Sequence, residues 1–573
     1  MKDRLDTMIR SLQELLLSRR DEKGTWRGHL SSSAISTSVS VYALYRMDPQ
    51  AYAREIAAGT AWLQTTMRPD GTWGDSPASP SNMTATLLSY AALYALGKAP
   101  EQTQAWLNAK LGGIEEETLI RGVLDYYGKD LTFSVPILAM CALTGVISNW
   151  RKVPVFPFEL AALPQKFFRF LQLPVVSYAV PALIAVGLLR NRRGRRTPMA
   201  AFRSLFTGKC LRVLAKMQPD DGGFLEAAPL TAFVCMCLNG AGLGELEATK
   251  RCANFLVNTI REDGSWPIDT DLATWVTTLS VKALQEEIPN PETLLQEYRS
   301  RALRTVHPFT GAQPGGWGWT DLSGSVPDAD DTPGALIALH ILSGGKFCPE
   351  VQGGVKWLLD LQNRDGGIPT FCKGWTRLPF DASSPDLTAH TLRALTLWED
   401  SLPAVLRSRV DGAKSRMYAW LRKVRRPDGS WVPLWFGCQD AADEKAPVYG
   451  TALVADYLAD LTDPEVEELL ESGCSYLLKV QNPDGGWGGA EGLPSRVTFT
   501  AKAVAALAQW KGTPEGILEK GLAWLEAAWK NGHLLDDEPI GLYFARLWYS
   551  EDLYNLTFTL DALKKARKRT YGQ

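Results

Sequence analysis

The chain of 573 residues lacks several features that would have settled its class at once. Its nine cysteines, at 141, 210, 235, 237, 252, 348, 372, 438 and 474, form no Cys-x-x-Cys pair and no Cys/His ligand spacing. That excludes the common zinc modules and fits a reducing compartment without a disulfide framework. Cys235-Met-Cys237 lies in an apolar run and reads as core. There is no strong charge imbalance: the net charge of −2 argues against a nucleic-acid partner. The first residues are charged and amphipathic and have no apolar signal core, so a cytosolic protein is expected. No run alternates long enough to suggest a sheet. Apolar residues make up 45%, enough for a large core, and the length suits two to four domains.

What is present is tryptophan and glycine, 20 and 49 residues, in a recurring phrase. An amphipathic helix ends in a polar Asp-Gly turn and an aromatic residue. The phrase appears as Glu22-Lys-Gly-Thr-Trp26, Arg68-Pro-Asp-Gly-Thr-Trp73, Gln218-Pro-Asp-Asp-Gly-Gly-Phe224 and Arg261-Glu-Asp-Gly-Ser-Trp266. It continues as Gln313-Pro-Gly-Gly-Trp317, Gln362-Asn-Arg-Asp-Gly-Gly-Ile368, Arg426-Pro-Asp-Gly-Ser-Trp431 and Gln481-Asn-Pro-Asp-Gly-Gly-Trp487. The spacing of roughly 40 to 65 residues is that of two helices plus turns in a helical array. Asp-Gly supplies a left-handed turn position. The Gln can bond free backbone groups at the start of the next helix, and the Trp can stack on it. Trp26, Trp73, Trp266, Trp431 and Trp487 are therefore read as structural. Between the turns, Ser81 or Asn82 can cap one helix and Thr498 can start another. The fold class is all-α, with helical hairpins closed into one or two α/α barrels.

Residues 325–341 stand apart. Asp328, Asp330 and Asp331 crowd the mouth of an apolar helix that Thr332 and Pro333 open. Asp331 or Thr332 suits its N-cap, and Pro333 its first turn. In isolation such a run is a solvated turn with a capped helix. A second irregularity is residues 145–205, where the repeat stops. Twenty mostly apolar residues, 170–189, are followed by Arg190-Asn-Arg-Arg-Gly-Arg-Arg196. Pro174 and Pro181 disfavour one straight spanning helix. A buried core helix is one reading. A partly exposed apolar helix docking one leaflet, with arginines at the headgroups, is the other and the preferred one.

The repeated Gln…Asp-Gly-x-Trp phrase, Asp328-Ala-Asp-Asp-Thr332 and Ser384-Pro-Asp-Leu-Thr-Ala-His390 together resemble the class II terpene cyclases, closest to the squalene–hopene cyclase group. The resemblance covers nearly the whole chain. It implies two α/α barrels of the α6–α6 type. Residues 1–27 plus 273–573 would carry the acids, and 28–272 would be inserted, with a membrane-docking segment around 165–196. The cavity would lie between them. It implies Asp330 as the acid that protonates a terminal C=C, Asp328 and Asp331 as its partners, and His390 as its hydrogen-bond partner, with Asp386 in support. Tyr449 matches a tyrosine near that network, and Trp275, Trp319, Trp435 and Tyr554 match aromatic cavity positions. His340 is read as core or surface.

That chemistry suits these residue types. An alkene is a very poor base, so its acid must be strong yet protonated. Crowded carboxylates keep a proton available, and a cationic His390 would stabilise the carboxylate left behind. Aromatic faces stabilise a migrating carbocation without quenching it. The implied substrate is squalene or a related linear polyprenoid, with no metal and no cofactor. The implied place is the cytoplasmic face of a membrane, held peripherally or monotopically, and a homodimer is compatible with it. Two other readings stay open: a Mg²⁺-dependent class II cyclase of a shorter prenyl diphosphate, and a non-catalytic α/α-barrel binding protein. The chain also departs from the hopene cyclases. Residues 30–38 hold serines where that group has acids, so the route of reprotonation is not carried over. Trp275-Val276 replaces Trp-Asp, 438–447 form an extra loop, and the aromatics Tyr543-Phe544, Trp548-Tyr549 and Tyr554 are spaced differently.

Overall fold

The structure is a computed structural model. It describes residues 2–113, 115–128, 131–163, 180–308, 310–371, 381–542 and 546–572. It is mostly helical, and its apolar residues gather in two cores. One core draws on residues between 34 and 266. The other takes residues 5–30 together with 275–566.

Each core lies within a set of helices that are buried almost all round. In the first are α1 (Ala34–Met47), α2 (Met83–Ala95), α3 (Leu131–Thr144), α4 (Val180–Arg193) and α5 (Ala228–Gly240). Each packs on the next, and α5 returns to α1. In the second are α6 (Ala273–Leu284), α7 (Asp331–Ser343), α8 (Pro385–Trp398), α9 (Pro447–Leu458), α10 (Val497–Gln509) and α11 (Tyr554–Tyr571). These also pack in order, and α11 returns to α6. The helices between them are amphipathic and lie outside. Lys2–Ser18 buries one stripe, Leu5, Met8, Ile9, Leu12 and Leu16, against α11.

The Asp-Gly turns tie outer helix to inner helix by the same contacts each time. The indole N–H groups of Trp26, Trp73, Trp266, Trp431 and Trp487 donate to the carbonyls of Leu16, Leu63, Leu256, Leu421 and Leu477, at 2.7–3.0 Å. The backbone N–H of Trp266 donates to Thr37 Oγ1 at 3.0 Å, that of Ile368 to Thr388 at 3.0 Å, and that of Trp431 to Thr451 at 2.9 Å. Gln362 and Gln481 donate to the glycine carbonyl four residues on and to a carbonyl of the next outer helix. The tie thus runs to carbonyl oxygens, where the sequence suggested free groups at a helix start. Gly429 has φ +89°, and a Cβ there would meet the Ser472 carbonyl at 2.7 Å, so only glycine fits without strain.

Several local expectations change. Asn82 caps α2, accepting from the Ala85 N–H at 2.9 Å. α10 starts at Val497 rather than Thr498, and its first N–H groups are held by Glu538, a remote carboxylate, at 2.8 Å each. A short antiparallel pair, β1 (Ile540–Leu542) and β2 (Leu547–Tyr549), was not foreseen. It sits between the cores: the Trp548 N–H donates to Asp75 at 2.7 Å.

The larger correction concerns 170–189. Residues 164–179, and with them the first half of that run and Pro174, lie outside the described residues, as do Tyr543-Phe544. The second half is α4, buried through Leu189. Arg190 is buried and donates to the carbonyls of Val153 and Arg151, while Arg193 donates to that of Gly240 and stays exposed, as does Arg192. An inner helix packed on every side is as apolar as a membrane helix, so composition alone could not separate them. Among the described residues no helix is long and apolar enough to cross a membrane.

Candidate active site

The acidic run does open a helix, but not with the cap expected. α7 begins at Asp331, and Asp330, at the cap position, makes no side-chain cap. Asp328 does that work: its Oδ1 accepts the N–H groups of Asp330 and Asp331, both at 2.8 Å. Asp330 is thereby left free to point elsewhere, and its Oδ1 meets His390 Nδ1 at 2.9 Å. His390 reaches it from the second turn of α8 and is fully buried.

These acids line a cavity of about 340 Å³ with walls from both cores. Ile35, Leu88, Ile137, Leu230 and Phe233 come from one side, and Leu272, Trp275, Trp319, Trp435 and Tyr554 from the other. Among the described residues, no lysine or arginine lines it. Trp275 lies edge-on to His390 at 6.3 Å. Phe371 bridges Trp319 and Trp435, at 6.3 and 5.4 Å. Tyr549 from β2 meets Tyr554, their hydroxyls 3.4 Å apart. Leu30 and Ile35 of the serine-rich segment also reach the wall.

Two expected residues take other places. Tyr449 stands behind the wall, between Phe436 at 5.4 Å and Phe499 at 6.5 Å, and Phe436 fronts the cavity instead. Asp386, expected in a supporting role, itself lines the cavity and accepts a hydrogen bond from the Ser384 hydroxyl. His340 is half-buried beside Trp398 at 5.1 Å, away from the acids.

Burial dominates the ionisation. It pushes the Asp330 carboxyl up to about 7, against the charges of Lys282 and Lys502, which hold it down. Asp331 is raised well above the carboxylate range by burial and by the charge of Asp328 next to it. Asp386 is pushed up to about 6, again by burial first. His390 goes the other way: burial, then Lys282 and Lys502, lower it well below its ordinary value. The expected cationic histidine is therefore corrected. Burial first, and then the charges of Lys282 and Lys502, favour a neutral imidazole, while the carboxyl beside it holds its proton as pH falls below about 7.

Those lysines, with Tyr457 and Phe371, went unread in the sequence, and Tyr549 was noted there only as part of the C-terminal aromatic cluster. The available signal was a lone lysine within buried small residues, Ser280-Val-Lys-Ala-Leu284 and Thr500-Ala-Lys-Ala-Val504.

Comparison with known proteins decides the family. The squalene–hopene cyclase C-terminal domain matches residues 306–568 and the N-terminal domain of the same family matches 9–120, together well over half of the chain. This chain belongs to the squalene–hopene cyclase family. Across that family, a probable squalene–hopene cyclase of Sinorhizobium fredii is 25% identical and covers 98% of this chain and 97% of its own length. Enfumafungin synthase of Hormonema carpetanum is also 25% identical over 90% of the chain, but the chain spans only 45% of that protein's length. Among solved structures, ent-copalyl diphosphate synthase from Streptomyces platensis shares the fold, with TM-score 0.52 over 98% of this chain and 99% of its own, at 16% identity.

Proposed function

We propose that this protein is a class II terpene cyclase that folds squalene or a related linear polyprenoid into the cavity and closes its rings through carbocations started by Asp330. The observation that carries this reading is a histidine-bonded carboxyl, raised by burial, in a cavity walled mainly by apolar and aromatic side chains, with Asp269, Asp328, Asp331 and Asp386 as its other carboxyls. In this reading Asp330 gives its proton to a terminal C=C. The carboxylate left behind is stabilised by the Nδ1–H of His390 and by the positive end of α7. Asp328 holds that helix end in place and shares a proton with Asp331, so the three acids are not three negative charges. Trp275, Trp319, Trp435 and Tyr554, with Phe371 and Tyr549, then face the moving cation, each contributing about 0.5–2 kcal/mol. Tyr449 and Asp386 support this wall from behind and beside. The described walls, without amines or guanidinium groups, help keep the site dry and non-nucleophilic.

The two closed helix sets support a reading as two α/α barrels. The one made of 1–27 plus 273–573 would carry the acids, with 28–272 inserted and the Asp-Gly ties as a family repeat. Docking to a membrane surface is supported by a patch just beyond α4. Met199, Phe202 and Leu205 are exposed there, beside the exposed Arg195 and Arg196. This moves the docking surface from 170–189 to about 195–206.

Purified protein with squalene in detergent, without added metal, is expected to give a cyclised product by mass spectrometry. Asp330→Asn should lower the rate by about 10²–10⁴-fold or more. A shorter prenyl diphosphate with Mg²⁺ is the competing substrate. The lining among the described residues, which has no lysine or arginine, favours the hydrocarbon, and turnover of the diphosphate alone would reverse that choice. If neither reacts, a binding protein is the better reading.

A further inference from the structure

The interior of the six-helix set is polar behind the acid. Lys282 of α6 reaches across to Tyr457 of α9, the helix opposite it in the ring. Its Nζ lies 4.5 Å above the Tyr457 ring and donates to the hydroxyl at 3.3 Å. The Tyr457 ring in turn stacks on His390, 4.2 Å between centroids and 11° between planes. Lys502 of α10 lies 3.5 Å above the Phe558 ring of α11, and Phe558 stacks at 5.3 Å on Tyr554, a cavity residue. Each lysine is thus one aromatic ring away from the site.

Nearby carboxylates do not neutralise them. Asp456 of α9 and Asp561 of α11 are both taken by Lys565, at 2.5 and 2.8 Å. Neither Lys282 nor Lys502 forms an ion pair among the described residues. Three lysines thus face two carboxylates, which leaves one positive charge in excess. The other titratable groups around Asp330 are Asp328 and Asp331 at its own helix mouth, Asp386 on α8, and Tyr449 and Tyr554 on α9 and α11. None of them is a cation.

We propose that Lys282 and Lys502 are positioning residues for the acid: from the side away from the cavity their charge keeps His390 neutral and favours the carboxylate that Asp330 becomes when it gives up its proton. The proposal rests on the reading of Asp330 as proton donor. Enclosing two amines without ion-pair partners is unfavourable in itself, and the directions of shift agree, since both lysines lower Asp330 and His390 alike. Lys502 is itself lowered to about 7 by burial and by Lys282, so a full second charge is held only below neutral pH.

The test is the pH–rate profile. Asp330 must be protonated to act, so activity is full below its pKa and falls as pH rises through it. In Lys282→Met the midpoint of that fall should move up by about one pH unit, while the low-pH plateau drops because the acid is weaker. Lys282→Arg, which keeps the charge, should leave the midpoint in place. Asp456→Asn, which removes a negative charge, should move it down. Substrate-free NMR titration of the Asp330 carboxyl and the His390 ring should show the same opposite shifts. If Lys282→Met does not fold, Lys502→Met and Asp456→Asn give the same contrast. Unmoved titrations, or lysine and aspartate variants shifting the same way, would overturn the proposal. A wild type that turns over no substrate yet shows the opposite NMR shifts would sink the cyclase reading and leave the electrostatic one standing.

Discussion

The two closed helix sets share a scaffold and differ in what they bury. Their turns are tied by the same indole-to-carbonyl and amide-to-threonine bonds. The five-helix set buries small neutral groups on its inner helices: Ser36 and Ser40 on α1, Thr84 and Ser89 on α2, Cys235 and Cys237 on α5. The six-helix set holds Lys282, His390, Asp456, Lys502 and Lys565 in the same kind of place. Among the described residues the inner helices of the five-helix set bury one charge, Arg190 near the end of α4, held by carbonyls, so closure does not require a cluster of interior charges. Charges out of water cost several kcal/mol each unless well paired. Their clustering in the set that holds Asp330 is what ties them to chemistry rather than to folding.

The largest expected effect comes from breaking that asymmetry. Cys235→Lys places an unpaired amine in the five-helix core, where Cys235 is fully buried. It should cost about 3–5 kcal/mol, the usual consequence of an uncompensated buried charge. Chemical denaturation of the purified variant, or its recovery only as aggregate, measures this. Lys502→Met in the six-helix set should cost far less stability, because replacing a buried charge by an apolar side chain of similar length is often neutral. Equal losses in the two sets would mean that the interiors are interchangeable.

The same asymmetry explains what could be read in the sequence. The acids were legible because three aspartates at the start of an apolar helix contradict that helix's character. The ties were legible because each is local, spanning ten residues from Leu421 to Trp431. Lys282 and Lys502 were not, because a lone lysine in an alanine-rich helix looks like an exposed face until the helix opposite is placed. The charge of His390 failed for the same reason, since it follows from burial first and then from lysines more than 100 residues away in each direction along the chain. The two readings of the run that ends in α4 could not be separated in the sequence, because total burial and membrane insertion demand the same composition. β1 and β2 are three residues each, too short for alternation to register.

A middle-sized effect is expected from His390→Gln. Glutamine can still donate to Asp330, but it loses the ring that stacks on Tyr457 and the rigid aim that burial gives the imidazole. kcat should fall about 10–100-fold, or ~1.4–2.8 kcal/mol in barrier, with KM little changed. The thermal midpoint should stay close to wild type. A proportionate loss of stability would make His390 a packing residue and weaken the contrast between the sets.

The smallest effect probes what the two sets have in common. Thr37 accepts the Trp266 N–H in the five-helix set, and Thr451 accepts the Trp431 N–H in the six-helix set, at 3.0 and 2.9 Å. Valine at either site keeps the shape and removes the acceptor, leaving a buried N–H without its partner. Each change should cost about 1–2 kcal/mol. Denaturant midpoints should fall alike for Thr37→Val and Thr451→Val, and the pH–rate profile should not move for either. If Thr451→Val also shifted the profile, the tie in the six-helix set would be helping to aim the acid. The scaffold and the chemistry could then no longer be separated along the line that the buried charges draw.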